Sequence, residues 1–179
     1  MKTIIVSIFG LLLAWQSHAQ FSKATLKANG LTCAMCSNAV NKALERLSFV
    51  EKVEADIKNT AFNIRFKPDA DVQPDAIREA VEGAGFSVGS LRLTAQFHQL
   101  KISKDQHVKI GNATYHFLNT PEQHLNGEQT ITLLDRNFVS DQVFKKVKTY
   151  SQMSCVITGR AAACCSDGEA GQRIYHSTI

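Results

Sequence analysis

The chain contains no block of lysine and arginine residues, although its formal net charge is +4. One of the positive charges, Lys2, lies in a segment that we expect to be removed, so the mature chain is only mildly basic. A clustered basic surface is what usually indicates a nucleic-acid partner, and none is predicted here. The chain also has no low-complexity linker, and we therefore expect any two domains to pack closely.

The N-terminal apolar run is too short to cross a bilayer as a helix. Ile4 to Leu13 is almost entirely apolar, but a spanning helix needs about 20 such residues. Lys2 precedes this run, and Ser17-His18-Ala19 places small residues two positions apart after it. This pattern predicts a secretory signal peptide over residues 1–19, cleaved after Ala19. We expect a periplasmic or otherwise exported protein with no stable membrane insertion after cleavage.

The first half of the remaining chain alternates between strand and helix patterns. Ala24, Leu26 and Ala28 alternate with polar residues, as in a half-buried strand, and Pro74 suits the first position of a helix. A helix pattern around Val40 and Leu44 is followed by two strand patterns joined by a turn. The predicted order is strand, helix, strand, strand, helix, strand. This order is the ferredoxin-like βαββαβ sandwich of the α+β class, and we assign it to residues 20–94.

Residues 95–179 show short apolar clusters separated by turn signals. The dipeptides Gly111-Asn112 and Asn126-Gly127 are typical of turns, and Arg173 to Ile179 fits a terminal strand. Val143, Phe144 and Val147 fit either a strand or a short amphipathic helix. Many short strands with regular turns predict a small mainly-β domain, for which an OB-like barrel would suit the length. The sequence does not indicate the role of this domain.

The stretch from Gly30 to Cys36 carries the chemistry. Gly30 lets the strand turn, and Thr32 is predicted to cap the helix that follows. A spacing of three residues places the sulfurs of Cys33 and Cys36 on one side of the first turn. The positive end of the helix favours thiolates, which are the metal-binding form.

Two thiolates select among metal ions. Structural Zn(II) sites have four ligands, and no further His or Cys lies close by in the sequence. Hard ions require oxygen ligands. An open pair of thiolates suits soft Cu(I) and, for the same reason, Hg(II) or Ag(I). We expect Cu(I) first and keep Zn(II) as a weaker candidate.

The residues Gly30-Leu31-Thr32-Cys33-Ala34-Met35-Cys36 resemble the signature of the heavy-metal-associated domain family, with Leu31 in place of the usual Met. The resemblance extends to Glu82-Gly83-Ala84-Gly85-Phe86 and covers residues 22–93. It implies a ferredoxin-like fold that carries Cu(I) or another soft metal on Cys33 and Cys36. Leu for Met is a volume-conserving exchange, and we do not expect it to prevent binding. The extra C-terminal half departs from the small copper chaperones and from the periplasmic mercury carriers of this family.

We therefore predict an exported Cu(I) chaperone or sequesterer that is not an enzyme. Metal would pass by ligand exchange to or from a partner protein, such as a metal-transporting membrane protein. One alternative is a periplasmic mercury carrier. Another is a thiol–disulfide oxidoreductase that uses the same cysteines, although Thr32 stands where redox families usually place an aromatic residue. A third is an interaction module whose second domain binds a partner.

Three further cysteines, Cys155, Cys164 and Cys165, follow Met153 in the second half. Because five cysteines cannot all pair within one chain, at least one is left over. An exported protein permits a disulfide from Cys155 to Cys164 or Cys165. A second soft-metal site and inert free thiols are the alternatives. The stretch from Ser154 to Gly171 is predicted to be a loop. No two of the five remaining histidines have helical ligand spacing, and we expect them to be scattered over the surface: His98, His107, His116, His124 and His176.

Overall fold

A single mixed sheet of eight strands runs through the whole described part of the protein. The computed structural model describes residues 19–163, 165 and 170–179. The predicted signal peptide lies outside these residues, apart from Ala19. None of the helices in the described ranges has the length and hydrophobicity to cross a membrane. The elements in chain order are β1 Phe21–Asn29, α1 Ala34–Glu45, β2 Val50–Asp56, β3 Ala61–Phe66, α2 Pro74–Gly83, β4 Ser87–Ile102, β5 Gln106–Ile110, β6 Ala113–Phe117, β7 Gln123–Leu133, α3 Asp141–Val147, α4 Cys155–Thr158 and β8 Ile174–Thr178.

The first six elements confirm the predicted βαββαβ order. Strands β2, β3, β1 and β4 lie side by side in that order, all antiparallel. Along β1 the alternation predicted from the sequence is present, because Ala24, Leu26 and Ala28 are buried. Leu26 pairs with Phe62 of β3 on one side and with Leu91 of β4 on the other. Helices α1 and α2 bury Val40, Leu44, Ile77 and Val81 in the same core.

The second half is mainly β as predicted, but it extends the first sheet and does not close into a barrel. The strand order continues from β4 through β7, β8 and β6 to β5. The cause is the length of β4, which runs across residue 94 and pairs Leu93 with Ile131 of β7. Among the described strands, β2 and β5 are the two edges. The two halves therefore share one sheet and one main core.

The Asn126-Gly127 dipeptide is not the predicted turn. It lies inside β7, where Gly127 has φ +74°. The register between β4 and β7 shifts here, between Phe97 and Leu100. The extra residue is on β4, where Gln99 has φ +51°, and Asn126-Gly127 lies on the strand opposite this bulge. Gly111-Asn112, by contrast, does join two strands, β5 and β6.

Strands β6 and β8 are buried on both faces, because an apolar cluster packs on each side of the sheet at this end. Tyr115 and Tyr175 point to the main core, where their rings stack. Successive side chains of a strand point to opposite faces, so His116 and His176 point to the other face. A second apolar cluster, which includes Phe144, Val147 and Cys155, covers that face. Val143, Phe144 and Val147 belong to a helix, α3, and not to a strand.

Arg173 ties the C-terminal strand to the first half. Its guanidinium Nε lies 2.9 Å from Asp75 Oδ2 on α2, and its Nη1 lies 2.9 Å from Asp135 Oδ1. The Tyr175 hydroxyl lies 3.1 Å from the same Asp75 carboxylate. Burial alone would lower the pKa of Arg173, but the two carboxylates raise it above its ordinary value. This charged clamp fixes β8 against α2.

Candidate functional site

Cys33 and Cys36 lie together at the exposed N-terminus of α1. Their Sγ atoms are 2.7 Å apart, and both are free thiols. Gly30 has φ +84°, a conformation that other residues adopt with strain, and it turns the chain out of β1 toward the helix. The prediction that the two sulfurs share one side of the first turn agrees with this geometry.

Cys33 itself caps the helix, so the prediction that Thr32 does so is wrong by one residue. The helix begins at Ala34, and the preceding residue is extended with φ −151°. Its sulfur accepts a hydrogen bond from the Cys36 backbone N–H at 3.3 Å. A thiolate can replace the usual Ser, Thr or Asp oxygen in this role because it also accepts hydrogen bonds. Thr32 remains exposed on the loop.

The hydrogen bonds around Cys33 favour its ionised form. The side chain of Cys36 contributes most, and the backbone N–H of Cys36 adds to it, so the pKa of the Cys33 thiol is lowered below its ordinary value. The N-terminus of a helix stabilises negative charge by the same mechanism. The loop therefore favours the thiolate form of Cys33, which is the form that binds metal.

The loop packs against apolar side chains on the side of the core and is open to solvent on the other side. Leu31 and Phe86 are half-buried and pack against the main core, as expected for residues that support the loop. Met35 is 83% exposed and Ile57 is 79% exposed. A surface cavity of about 280 Å³ lies beside Cys33 and is lined in part by Ile57 and Thr60. An ion or an incoming side chain can therefore reach the sulfurs from solvent.

The histidines are not all scattered over the surface, and that prediction is wrong for three of them. His107, His116 and His176 form one row across β5, β6 and β8, because their backbones pair directly in the sheet. The rings of His107 and His116 stack with their centroids 4.4 Å apart. His176 stands edge-on to His116 at 5.2 Å. His98 and His124 are exposed, as predicted.

Cys155, a member of the second apolar cluster, contacts this row of histidines. It begins the short helix α4, so the prediction of a loop is wrong at this point. Its Sγ lies 3.5 Å from His116 Nδ1 and 4.0 Å from His107 Nε2. Cys165 is buried in the same cluster, and Met153 packs against it. Cys164 lies outside the described residues, so the predicted pairing of Cys155 with Cys164 or Cys165 stays a prediction.

Carboxylates contact two of the three histidines in the row, His116 in the middle and His176 at one end. His116 Nε2 lies 3.3 Å from Asp105 Oδ1, and His176 Nδ1 lies 3.0 Å from Asp135 Oδ1. Burial would raise the pKa of Asp135, but the hydrogen bond from His176 and the charge of Arg173 hold it below its ordinary value. Burial, together with the other two histidines, lowers the pKa of His116 to about 4. His116 is therefore a neutral imidazole at neutral pH.

One sequence signal could have revealed part of this cluster. His107 and His116 each lie four residues from the Gly111-Asn112 turn. Residues at equal distances from a two-residue hairpin turn face each other across the strands, so the turn places these two histidines side by side. The approach of His176 and Cys155 depends on long-range strand order, for which the sequence offers no comparable signal.

Comparisons with known proteins match the part of the chain that contains Cys33 and Cys36. The model of the heavy-metal-associated domain family matches residues 25–87. A probable copper-transporting ATPase, HMA5, of Arabidopsis thaliana is 34% identical over 73 residues, which are 41% of this chain and 7% of that protein. A copper-transporting ATPase of Helicobacter pylori is 34% identical over 65 residues, 36% of this chain and 9% of that protein. The match thus spans less than a tenth of either ATPase.

Solved structures match a similar share of the chain. A copper-binding domain of the P-type ATPase HMA7 is 33% identical and covers 37% of this chain and 89% of its own, with a TM-score of 0.34. The CopZ metallochaperone is 25% identical and covers 37% and 98%, with a TM-score of 0.35. The match to the family model includes Cys33 and Cys36 and ends within β4. Residues 25–87 of this chain are therefore a heavy-metal-associated domain.

Proposed function

We propose that this protein binds Cu(I) through Cys33 and Cys36 and passes it to other proteins by ligand exchange. The observation that carries the proposal is the pair of adjacent, exposed sulfurs at the N-terminus of α1, inside a heavy-metal-associated domain. The relatives that share this domain are named as copper-transporting ATPases. Copper is therefore a better-supported cargo than mercury, although Hg(II) is equally thiophilic.

The composition of the site supports a soft, low-coordinate ion. Within the described ranges, no third His, Cys, Asp or Glu joins Cys33 and Cys36 in a metal-binding group. A closed tetrahedral zinc site is therefore not formed here. Metal–sulfur bonds of about 2.3 Å on either side of an ion would also require the sulfurs to move apart from their present 2.7 Å. The exposure of Cys33 permits that movement.

The exposure of the two sulfurs also permits transfer of the metal by ligand exchange. An incoming thiolate attacks the bound ion from the open side and forms a three-coordinate intermediate, and one of the two original sulfurs then leaves. No bond within a substrate is made or broken, and the oxidation state of the metal is unchanged. The exposed side chains of Met35 and Ile57 beside the sulfurs offer apolar contacts to the partner that supplies or receives the ion. We infer that a metal-transporting membrane protein is such a partner.

We further propose that the protein acts outside the cytoplasm. Residues 1–19 have the pattern of a cleaved secretory signal. Expression with the native N-terminus in a bacterial host, followed by fractionation and mass measurement, tests this point. We expect an exported chain that begins at Gln20. A full-length chain in the cytoplasmic fraction would contradict it.

Residue-resolved NMR tests binding at this site without interference from ligands elsewhere. Cu(I) is added under anaerobic, reducing conditions to the labelled protein and to a Cys33→Ser, Cys36→Ser variant. We expect the amide signals of residues 31–37 to shift with one equivalent in the wild type only. Ser remains a suitable helix cap at residue 33, so the variant should fold. If these amides do not respond, the proposed role of the loop is wrong.

A further inference from the structure

The strongest unassigned feature is the cluster of His107, His116 and Cys155, which we call the buried triad. One ligand atom from each residue lies within 4.8 Å of the other two. We propose that the buried triad is a second metal site, which binds Cu(I) with one sulfur and two nitrogen ligands independently of Cys33 and Cys36.

The spacing of the triad suits a three-coordinate ion. With a metal–sulfur bond of about 2.3 Å and a metal–nitrogen bond of about 2.05 Å, an angle of about 110–120° places sulfur and nitrogen about 3.6–3.8 Å apart. The measured separations from Cys155 Sγ are 3.5 Å to His116 Nδ1 and 4.0 Å to His107 Nε2. Both sulfur–nitrogen separations are therefore within a few tenths of an ångström of the values expected for a bound ion.

Asp105 prepares His116 as a ligand. An ionised carboxylate only accepts hydrogen bonds, so its contact with Nε2 at 3.3 Å assigns the ring proton to that nitrogen. The lone pair is then on Nδ1, which is the atom that faces Cys155. Metal-bound histidines commonly have this arrangement, in which a carboxylate fixes the tautomer and the ring orientation.

One buried nitrogen beside the triad, Nε2 of His176, bears on the same proposal. His176 donates from Nδ1 to Asp135, so its Nε2 carries a lone pair. This atom is buried and has no hydrogen-bond partner among the described residues. Native proteins rarely leave such an atom unsatisfied. Because the His176 ring stands 5.2 Å from that of His116, an unsatisfied nitrogen lone pair belongs to the ring next to a proposed ligand, as expected where an ion or water is bound.

The number and kind of ligands favour Cu(I) over Zn(II). Structural Zn(II) sites have four protein ligands, whereas the buried triad offers three, and Cys155 and His116 are fully buried. Soft sulfur and imidazole ligands with three-fold coordination also match copper chemistry.

Burial also distinguishes this cluster from a catalytic one. Cys155, His116 and Asp105 have the order of a nucleophile, a base and an orienting carboxylate. A nucleophile must contact its substrate, however, and neither Cys155 nor His116 is exposed to solvent. A single ion needs far less room, and it can enter past His107, which is only half-buried. The geometry therefore suits metal binding better than covalent catalysis.

The test uses the full chain with Cys33→Ser and Cys36→Ser, so that failure of the loop site and failure of the triad are distinguishable. Cu(I) is titrated anaerobically against a competing chelator. We expect this background to retain one tightly bound ion. Adding His107→Ala should weaken that binding at least about 100-fold, because a ligand is lost. Adding Asp105→Asn should weaken it about 10–100-fold, as loss of an outer partner does. His98→Ala and His124→Ala are matched controls on exposed histidines and should have no effect.

X-ray absorption at the copper edge then identifies the ligands. We expect one sulfur at about 2.3 Å and two nitrogens at about 2.0 Å. Cys155→Ser should remove the sulfur contribution, and circular dichroism checks that this variant folds. The proposal is overturned if the background binds no Cu(I), if it binds Zn(II) instead, or if the bound copper has sulfur ligands only. It is also overturned if binding survives both His107→Ala and Cys155→Ser.

Discussion

The two clusters of sulfur and nitrogen ligands in this protein are built in opposite ways. Cys33 and Cys36 are three residues apart, share one helical turn and face solvent. His107, His116 and Cys155 come from two strands and a helix and lie beneath a second apolar cluster. An exposed pair can accept and release an ion, whereas an enclosed triad suits retention. Local backbone geometry brings the two loop cysteines together, whereas tertiary packing brings the three residues of the triad together.

The largest expected effect on stability comes from the ion pairs of Arg173, which belong to neither ligand cluster. Arg173→Met removes the clamp and leaves the buried Asp135 carboxylate without its cation. We expect the free energy of unfolding to fall by about 2–3 kcal/mol, less than the about 3–5 kcal/mol of a fully buried pair, because Arg173 and Asp75 are 28% and 32% exposed. Urea denaturation measures the change. The loop sulfurs should still bind Cu(I) below the unfolding transition.

Lys23→Met is the matched control for the clamp. Lys23 pairs with Glu128, and both side chains are more than half exposed. Exposed pairs contribute about 0–1 kcal/mol, so the midpoint should barely move. An equal loss of stability in both variants would mean that burial does not distinguish the clamp.

Acid should destabilise the metal-free protein through the triad before it affects other buried groups. His116 faces His107, His176, Asp105 and Cys155, and its folded pKa of about 4 lies below its ordinary value of 6.5. The unfolded chain therefore binds more protons between these two values, and stability falls as the pH drops from about 6.5 to about 4. Asp135, whose folded pKa lies below 3.8, adds its loss only below about pH 4.

Urea midpoints at pH 7, 5.5 and 4.5, measured with a metal chelator present, check the effect of acid. A His116→Gln variant should show a flatter pH dependence over this range, whatever its absolute stability. The exposed His98→Gln serves as the control and should leave the slope as it is in the wild type. A slope that is unchanged in His116→Gln would contradict the account.

The loop cysteines should contribute almost nothing to stability without metal. In Cys33→Ser, Cys36→Ser the helix keeps an oxygen cap at residue 33, and neither sulfur is buried in the core. Substitutions at such surface positions usually change stability by less than about 0.5 kcal/mol. Thermal unfolding of the metal-free proteins measures this. A loss above about 1 kcal/mol would show that the loop has a structural role.

The smallest expected effect concerns redox chemistry. We expect no measurable acceleration of insulin reduction by dithiothreitol, because Cys33 and Cys36 lie in a heavy-metal-associated domain and not behind the longer central strand typical of redox folds. The assay includes a thioredoxin as positive control. A rate comparable to that control would replace metal carriage by disulfide exchange as the function of this loop.

The sequence predicted the parts of the fold that depend on local periodicity. Alternation in β1, the proline at the start of α2 and the Cys-x-x-Cys spacing each encode a feature within a few residues. The single sheet was not predicted, because the continuation of β4 past residue 94 and its pairing with β7 are long-range choices. Asn126-Gly127, which lies opposite a bulge in β4, was mistaken for a turn because a glycine with positive φ is typical of turns. The place of His176 in the histidine row was missed for the same reason as the single sheet, whereas the Gly111-Asn112 turn could have paired His107 with His116.

The metal content of the purified, reduced protein tests the central claim most directly. We expect two Cu(I) per wild-type chain after removal of loosely bound ions. Cys33→Ser, Cys36→Ser and Cys155→Ser, His107→Ala should each retain one, and the combination of all four substitutions should retain none. The account is contradicted if Cys33→Ser, Cys36→Ser binds as much Cu(I) as the wild type, because the exposed sulfurs would then not be a copper site.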